Sequence, residues 1–165
     1  MIIRLKVESA QKYPILYNRK MEQIHSQPEK IRGLMPGGFN LLHAGHIKAL
    51  ELAKENCDEL TALIIRDMSH KSHKLYQENI EDRFMKLEAL RSVDRVMVCE
   101  NNESFMGMLA LLNYDRYFLD ETYRDGGFEE GKKIVGEDRL FYVPRKHGWS
   151  TTEQVLRIRD VQQEN

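Results

Sequence analysis

From residue 31 to residue 143, short apolar runs alternate with stretches in which apolar residues recur every third or fourth position. The runs Ile31–Met35, Leu60–Ile65, Arg95–Cys99, Arg116–Leu119 and Leu140–Val143 are short and bounded by charged or turn residues, as buried parallel strands are. Between them, Ile47, Leu50 and Ala53 form one apolar stripe, with Lys48, Glu51, Lys54 and Glu55 placed for solvent. Phe84, Leu87 and Leu90 repeat the pattern from Glu81 to Arg91. Phe105, Met108, Leu109 and Leu112 predict a third helix, and Val155, Ile158 and Gln162 a fourth. Such stripes face a core and need no chemistry, and the eight methionines read as packing within them. Strands alternating with helices predict an α/β fold, a doubly wound five-stranded parallel sheet with right-handed crossovers. Sheets of this kind bind ligands at the carboxyl ends of their strands, where the winding reverses.

Residues 1–30 do not follow this rhythm. Met1–Val7 suits an edge strand and Tyr17–His25 a short helix, with Pro14 and Pro28 as punctuation. We expect a single domain over 31–165, preceded by an N-terminal extension, 1–30, of no assigned role. At 165 residues the chain is long enough to bury a core. A hydrophobic share of 41% excludes a disordered chain, and 4 Pro with 10 Gly exclude a collagenous or linker-like one. No apolar run approaches the roughly 20 residues of a membrane span, and charges interrupt Met1–Val7 too often for a secretory segment. With 25 Lys plus Arg against 26 Asp plus Glu, nothing draws the whole molecule to nucleic acid or an anionic membrane. Cys57 and Cys99 lack metal-ligand spacing and read as reduced, buried thiols of a cytoplasmic protein.

Chemistry concentrates after the first strand, in Gly37-Gly38-Phe39-Asn40-Leu41-Leu42-His43-Ala44-Gly45-His46. The glycines allow a tight turn and close approach of a ligand to backbone. His43 and His46, three residues apart, open a helix and can direct both imidazoles to one side of its N-terminus. The N–H groups and positive dipole end there favour an anion such as phosphate. A zinc site is a weaker reading, because no third ligand stands nearby.

A second candidate follows the last strand: Pro144-Arg145-Lys146-His147-Gly148-Trp149-Ser150-Thr151-Thr152-Glu153. Ser150 and Glu153 have capping-box spacing, so a helix should begin here. Arg145 and the hydroxyls of Ser150, Thr151 and Thr152 then make a second phosphate cradle. The loops after the first and last strands are expected on one edge of the sheet, converging on one triphosphate. Between them lie Lys71 and Lys74 on a charged loop, and Arg83 early in its helix.

These residues carry a resemblance. Gly38 through His46 resembles the G-x-F-D-x-x-H-x-G-H motif of the nucleotidyltransferase superfamily, and Arg145 through Thr152 the R-T-x-G-x-S-T-T segment of its cytidylyltransferase branch. Glu81-Asp82-Arg83 through Val96 is similar to the E-x-R…R-x-V-D-x-V stretch between them. The similarity runs from about residue 31 to the C-terminus and points to glycerol-3-phosphate cytidylyltransferases and the nucleotidyltransferase domain of ADP-heptose synthases. It implies a Rossmann-like fold and attack of a phosphorylated acceptor on the α-phosphorus of a nucleoside triphosphate, releasing pyrophosphate.

By resemblance, His43 and His46 contact the reacting phosphate oxygens, and Arg145, Ser150, Thr151 and Thr152 hold the outer phosphates. Lys74 or Lys71 supplies a mobile cation, and Arg83 lies near the acceptor or the phosphates. Gly37, Gly38, Phe39, Asn40 and Asp120 line the nucleotide. Mg²⁺ arrives on the triphosphate rather than in a protein cage. The resemblance also implies a homodimer with Arg91 and Asp94 in its interface. CMP transfer from CTP to a small molecule such as glycerol-3-phosphate is the first expectation, and adenylyl transfer to a sugar phosphate the alternative.

Departures from the family pattern bear on that choice. Asn40 stands where the motif has Asp, as in related adenylyltransferases, and Gly38 where it has Thr. Lys146 and His147 make the second cradle more basic, and Leu119-Asp120-Glu121 replaces a glycine followed by polar residues. Loss of the Asp and Thr is also what a non-catalytic nucleotide-binding or dimeric interaction module would show. The H-x-G-H element occurs in class I aminoacyl-tRNA synthetases too, but this chain has no room for an anticodon domain.

Overall fold

The structure of the chain, a computed structural model, describes residues 29–67 and 78–144. From Ile31 onward the described residues belong to one compact unit. Five parallel strands, β1 (Arg32–Gly37), β2 (Glu59–Ile65), β3 (Arg95–Cys99), β4 (Arg116–Asp120) and β5 (Leu140–Val143), form one sheet in the order β3-β2-β1-β4-β5. Four α-helices join them: α1 (Ala44–Lys54), α2 (Ile80–Glu88), α3 (Asn102–Leu111) and α4 (Glu129–Val135). The chain winds outward from β1 to β3, then crosses back to place β4 on the other side of β1. This is the expected doubly wound, Rossmann-like sheet. The reversal also corrects one expectation: β1 is central and β5 is an edge strand, so the two strands share a carboxyl end of the sheet but do not lie at one edge of it.

Side-chain alternation along the strands divides the core into two layers. Leu34, Leu63 and Leu119 face Phe105 and Leu109 of α3 and Val135 of α4. Met35, Ile64 and Phe118 face Leu50 and Ala53 of α1 and Leu87 of α2. The three predicted stripes thus lie against the sheet, while the stripe at Val155, Ile158 and Gln162 and the elements read in 1–28 fall outside the described residues.

Some element boundaries differ from the sequence reading by one to three residues, and one helix was not foreseen. β1 extends two residues further, through Pro36 and Gly37, in register with Leu63 and Ile64 of β2. The Arg32 carbonyl accepts from the Asp115 N–H and the Ile31 carbonyl from the Glu59 N–H. Even-numbered residues of β1 therefore bond toward β4 and odd-numbered ones toward β2. Pro36 has no N–H, and its missing donor is on the β4 side. The β1–β4 register stops at Leu34 and Tyr117, so the two strands part at their carboxyl ends, where the winding reverses. α2 ends at Glu88 rather than Arg91, where the Leu90 N–H turns back to the Leu87 carbonyl. α4 was not foreseen, because seven residues are too few to show a stripe. Its signals were Glu129 and Glu130 at the start, Lys132 and Lys133 at the end, and Gly136 beyond it with φ 82°.

Gly33 is fixed by packing. A Cβ there would lie 2.6 Å from Phe118 Cε2 and 2.7 Å from Cys57 Sγ. Gly33→Ala should therefore destabilise the protein by about 1–3 kcal/mol in urea unfolding. An unchanged midpoint would show that the Phe118 ring has room to move aside.

Candidate functional site

The β1 loop and the start of α1 form the candidate site. His43 is the N-cap of α1: its backbone is extended, and its Nδ1 accepts the Gly45 N–H at 3.1 Å. In the neutral ring that bond leaves the proton on Nε2, which makes Nε2–H a donor. His46, one turn on, stacks on His43 with ring centroids 3.9 Å apart and planes 22° apart. Phe39 meets the edge of His46 at 5.7 Å. Two imidazoles thus stand together at the positive end of α1, beside the parting of β1 and β4.

The loop turns in a different way from the one the glycines suggested. Its left-handed residues are Phe39 (φ 46°) and Leu41 (φ 47°), while Gly126, Gly127 and Gly136 are the described glycines with positive φ. The absent Cβ of Gly37 serves packing instead, since one would stand 3.2 Å from the Phe39 ring. Left-handed backbone at a residue with a side chain costs about 1–2 kcal/mol, so this loop must be held from outside.

Arg83 and Glu78 hold it. The Arg83 side chain is buried and donates to the carbonyls of Gly38 (2.9 Å), Ile65 (3.4 Å) and Arg66 (3.2 Å), joining the carboxyl ends of β1 and β2. Burial pulls its guanidinium below the ordinary arginine range, and the charge of Glu78 opposes that shift. Glu78 Oε2 accepts the Leu41 N–H at 2.6 Å, and its other oxygen accepts from Lys86. The Glu78 N–H in turn donates to Asn40 Oδ1 at 2.7 Å. Glu78 and Lys86 were missed in the sequence because they belong to no motif and lie some forty residues from the loop they serve.

Asp120 ends β4, the neighbour of β1, and its Oδ1 caps the following 3₁₀ turn by accepting the Thr122 N–H (2.9 Å) and hydroxyl (2.7 Å). Asp94 accepts from the Lys54 ammonium at 2.7 Å and from the Leu60 N–H at 2.6 Å, so its carboxylate ties α1 to β2. Lys71, Lys74, Arg145, Ser150, Thr151 and Thr152 lie outside the described residues. Cys57 and Cys99 are free thiols, half-buried and buried, and desolvation pushes both up from the ordinary cysteine value. Neither is therefore a thiolate nucleophile at neutral pH. Among the described residues no group of three or more His, Cys, Asp or Glu could hold a metal ion, and no helix is long and apolar enough to cross a membrane.

These features define a class: a Rossmann-like α/β protein whose central strands β1 and β4 part at their carboxyl ends and whose first helix carries two stacked imidazoles at its N-terminus. A profile of the cytidylyltransferase-like family matches residues 34–159, and the chain belongs to that family. It is similar to the FAD synthase of Pyrococcus horikoshii, 30% identical over 140 residues, which cover 80% of this chain and 95% of the relative. It is also similar to the glycerol-3-phosphate cytidylyltransferase of Bacillus subtilis, 36% identical over 121 residues, 71% of this chain and 88% of the relative. The same fold recurs in a lipopolysaccharide core biosynthesis protein from Thermoplasma volcanium, with TM-score 0.55 and 22% identity over 70% of this chain and 93% of that one. The protein is a nucleotidyltransferase.

Proposed function

We propose that the protein transfers CMP from CTP to a small phosphorylated alcohol such as glycerol-3-phosphate and releases pyrophosphate. The observation that carries nucleotidyl transfer is the stacked pair His43 and His46 at the positive end of α1, with His43 Nε2–H as a donor. An acceptor phosphate is largely ionised at neutral pH and needs no strong base. One of its oxygens attacks the α-phosphorus, the bond to the bridging oxygen breaks, and the electron pair leaves with pyrophosphate. Catalysis is then positioning, plus donation of hydrogen bonds to the charge that develops on the α-phosphate and leaving group. His43 and His46 supply those bonds. Arg145, Ser150, Thr151 and Thr152 are assigned the outer phosphates and Lys74 or Lys71 the mobile cation, on resemblance. Imidazoles and backbone amides suit phosphate oxygens better than a hard cation, so Mg²⁺ would be held by the triphosphate rather than by these residues and would supply charge screening there. The transferase domain is residues 31–165, and the active form is a cytoplasmic homodimer that uses the stretch around Arg91 and Asp94.

The choice of CTP rests on the 36% identity to the glycerol-3-phosphate cytidylyltransferase. A second reading, AMP transfer from ATP to a flavin or sugar phosphate, is favoured by similarity to a FAD synthase over 95% of that relative. Pyrophosphate release separates the two. Each of the four nucleoside triphosphates with Mg²⁺ is offered glycerol-3-phosphate, flavin mononucleotide, ethanolamine phosphate, phosphocholine and sugar phosphates. CTP turnover with glycerol-3-phosphate is expected, and turnover with ATP alone would replace it with the second reading. If no combination turned over, the transfer reaction itself would be lost.

A further inference from the structure

Phe39 and Leu41 are both left-handed and flank a single residue, Asn40, whose side chain is almost wholly buried. A loop strained twice in three residues keeps its shape only under constraint. Asn40 Oδ1 accepts the Glu78 N–H, and Glu78 Oε2 accepts the Leu41 N–H, so residues 40–41 and 78 grip each other from both sides. Arg83, on the helix that follows Glu78, takes the Gly38 carbonyl. The loop is thus fixed at three points just ahead of His43. The grip holds one carboxylate, at 78, and its side chain is about as buried as that of His43. Position 40, where the family motif has a carboxylate, carries a neutral amide.

We propose that Glu78 is a positioning residue for the phosphate loop and that Asn40 is its matched neutral partner, the corner being built for one carboxylate. A carboxylate at 40, bonded to the Glu78 backbone N–H, would bring a second negative charge into a site with little water beside the Glu78 carboxylate, whose own charge Lys86 already pairs, and the two would repel. Asn40 is then explained by Glu78 and does not by itself argue for adenylyl transfer. The effect on turnover rests on the nucleotidyl-transfer reading above, whereas the pairing itself does not.

The test compares Glu78→Gln, Asn40→Asp and the double variant with the full-length wild type. Each is followed by pyrophosphate release with the preferred nucleoside triphosphate and by thermal unfolding. Each single variant should lower kcat about tenfold while shifting KM for the triphosphate less than about threefold, because a displaced His43 weakens the transition state more than the bound substrate. The double variant carries one carboxylate again and should return to within about threefold of wild type. Unfolding midpoints should follow the same order, with both singles lowered and the double recovered. A double variant as impaired as the product of the singles, or a change confined to KM, would overturn the proposal. If the wild type released no pyrophosphate with any triphosphate, the reaction assigned above would fail. The unfolding series would then decide the pairing alone: recovery in the double supports it, and additive losses refute it.

Discussion

Replacement of His43 by alanine is expected to reduce turnover about a hundredfold or more, the scale of losing one hydrogen bond made to developing transition-state charge. The same substitution removes the cap of α1, because Nδ1 of His43 accepts the Gly45 N–H. Stability should fall by about 1 kcal/mol in urea unfolding. His43→Asn separates the two effects. An asparagine carbonyl can accept the Gly45 N–H and is a favoured N-cap, but it offers no donor in the place of Nε2–H. That variant should match the wild type in unfolding and His43→Ala in turnover. His46→Ala should also lose about a hundredfold, since on the proposed reading the two stacked rings serve the same phosphate region. Wild-type turnover by His43→Asn would remove His43 from the chemistry and leave it a helix cap.

Arg83→Ala should produce the largest loss of stability, about 3 kcal/mol or more. The carbonyls of Gly38, Ile65, Arg66 and, at 3.5 Å, Asn79 lose this donor, and Glu78 loses a neighbouring positive charge. That is a large part of the roughly 5–15 kcal/mol that keeps a domain folded. Arg83→Lys should recover less than half, because one ammonium cannot span carbonyls on two strands as the guanidinium fork does. Urea unfolding with pyrophosphate release measures both consequences. An arginine that only contacts phosphate would raise KM or lower kcat at unchanged stability. If Arg83→Ala unfolded within about 0.5 kcal/mol of wild type, its role as a tie between β1 and β2 would be wrong.

The local pattern was enough to find the strands and three helices, because burial on both faces demands continuous apolar runs and packing on one face demands a stripe. β3 and β5 were read with their observed bounds for that reason. The helix over 129–135 was too short to carry a stripe, and its end signals were charges and a glycine. At the site, the Gly-Gly turn and the histidine spacing identified the segment but misassigned its bend. No local preference predicts left-handed backbone at Phe39 and Leu41. That conformation depends on Glu78 and Arg83, which reach the loop only once α2 has packed against the sheet.

Local pattern accounts for the α/β class and the alternation that builds a parallel sheet, and it points to the loop proposed to carry the chemistry. Each of these is a local property, written in neighbouring residues as periodicity or motif. Tertiary structure alone decided that β1 is central, that Pro36 points its missing donor at β4, and that Asn40 and Glu78 clasp across 38 residues. Those outcomes depend on which strands become neighbours and which buried polar groups must then be satisfied. Contacts between residues distant in the chain arise only when the two core layers close on the sheet.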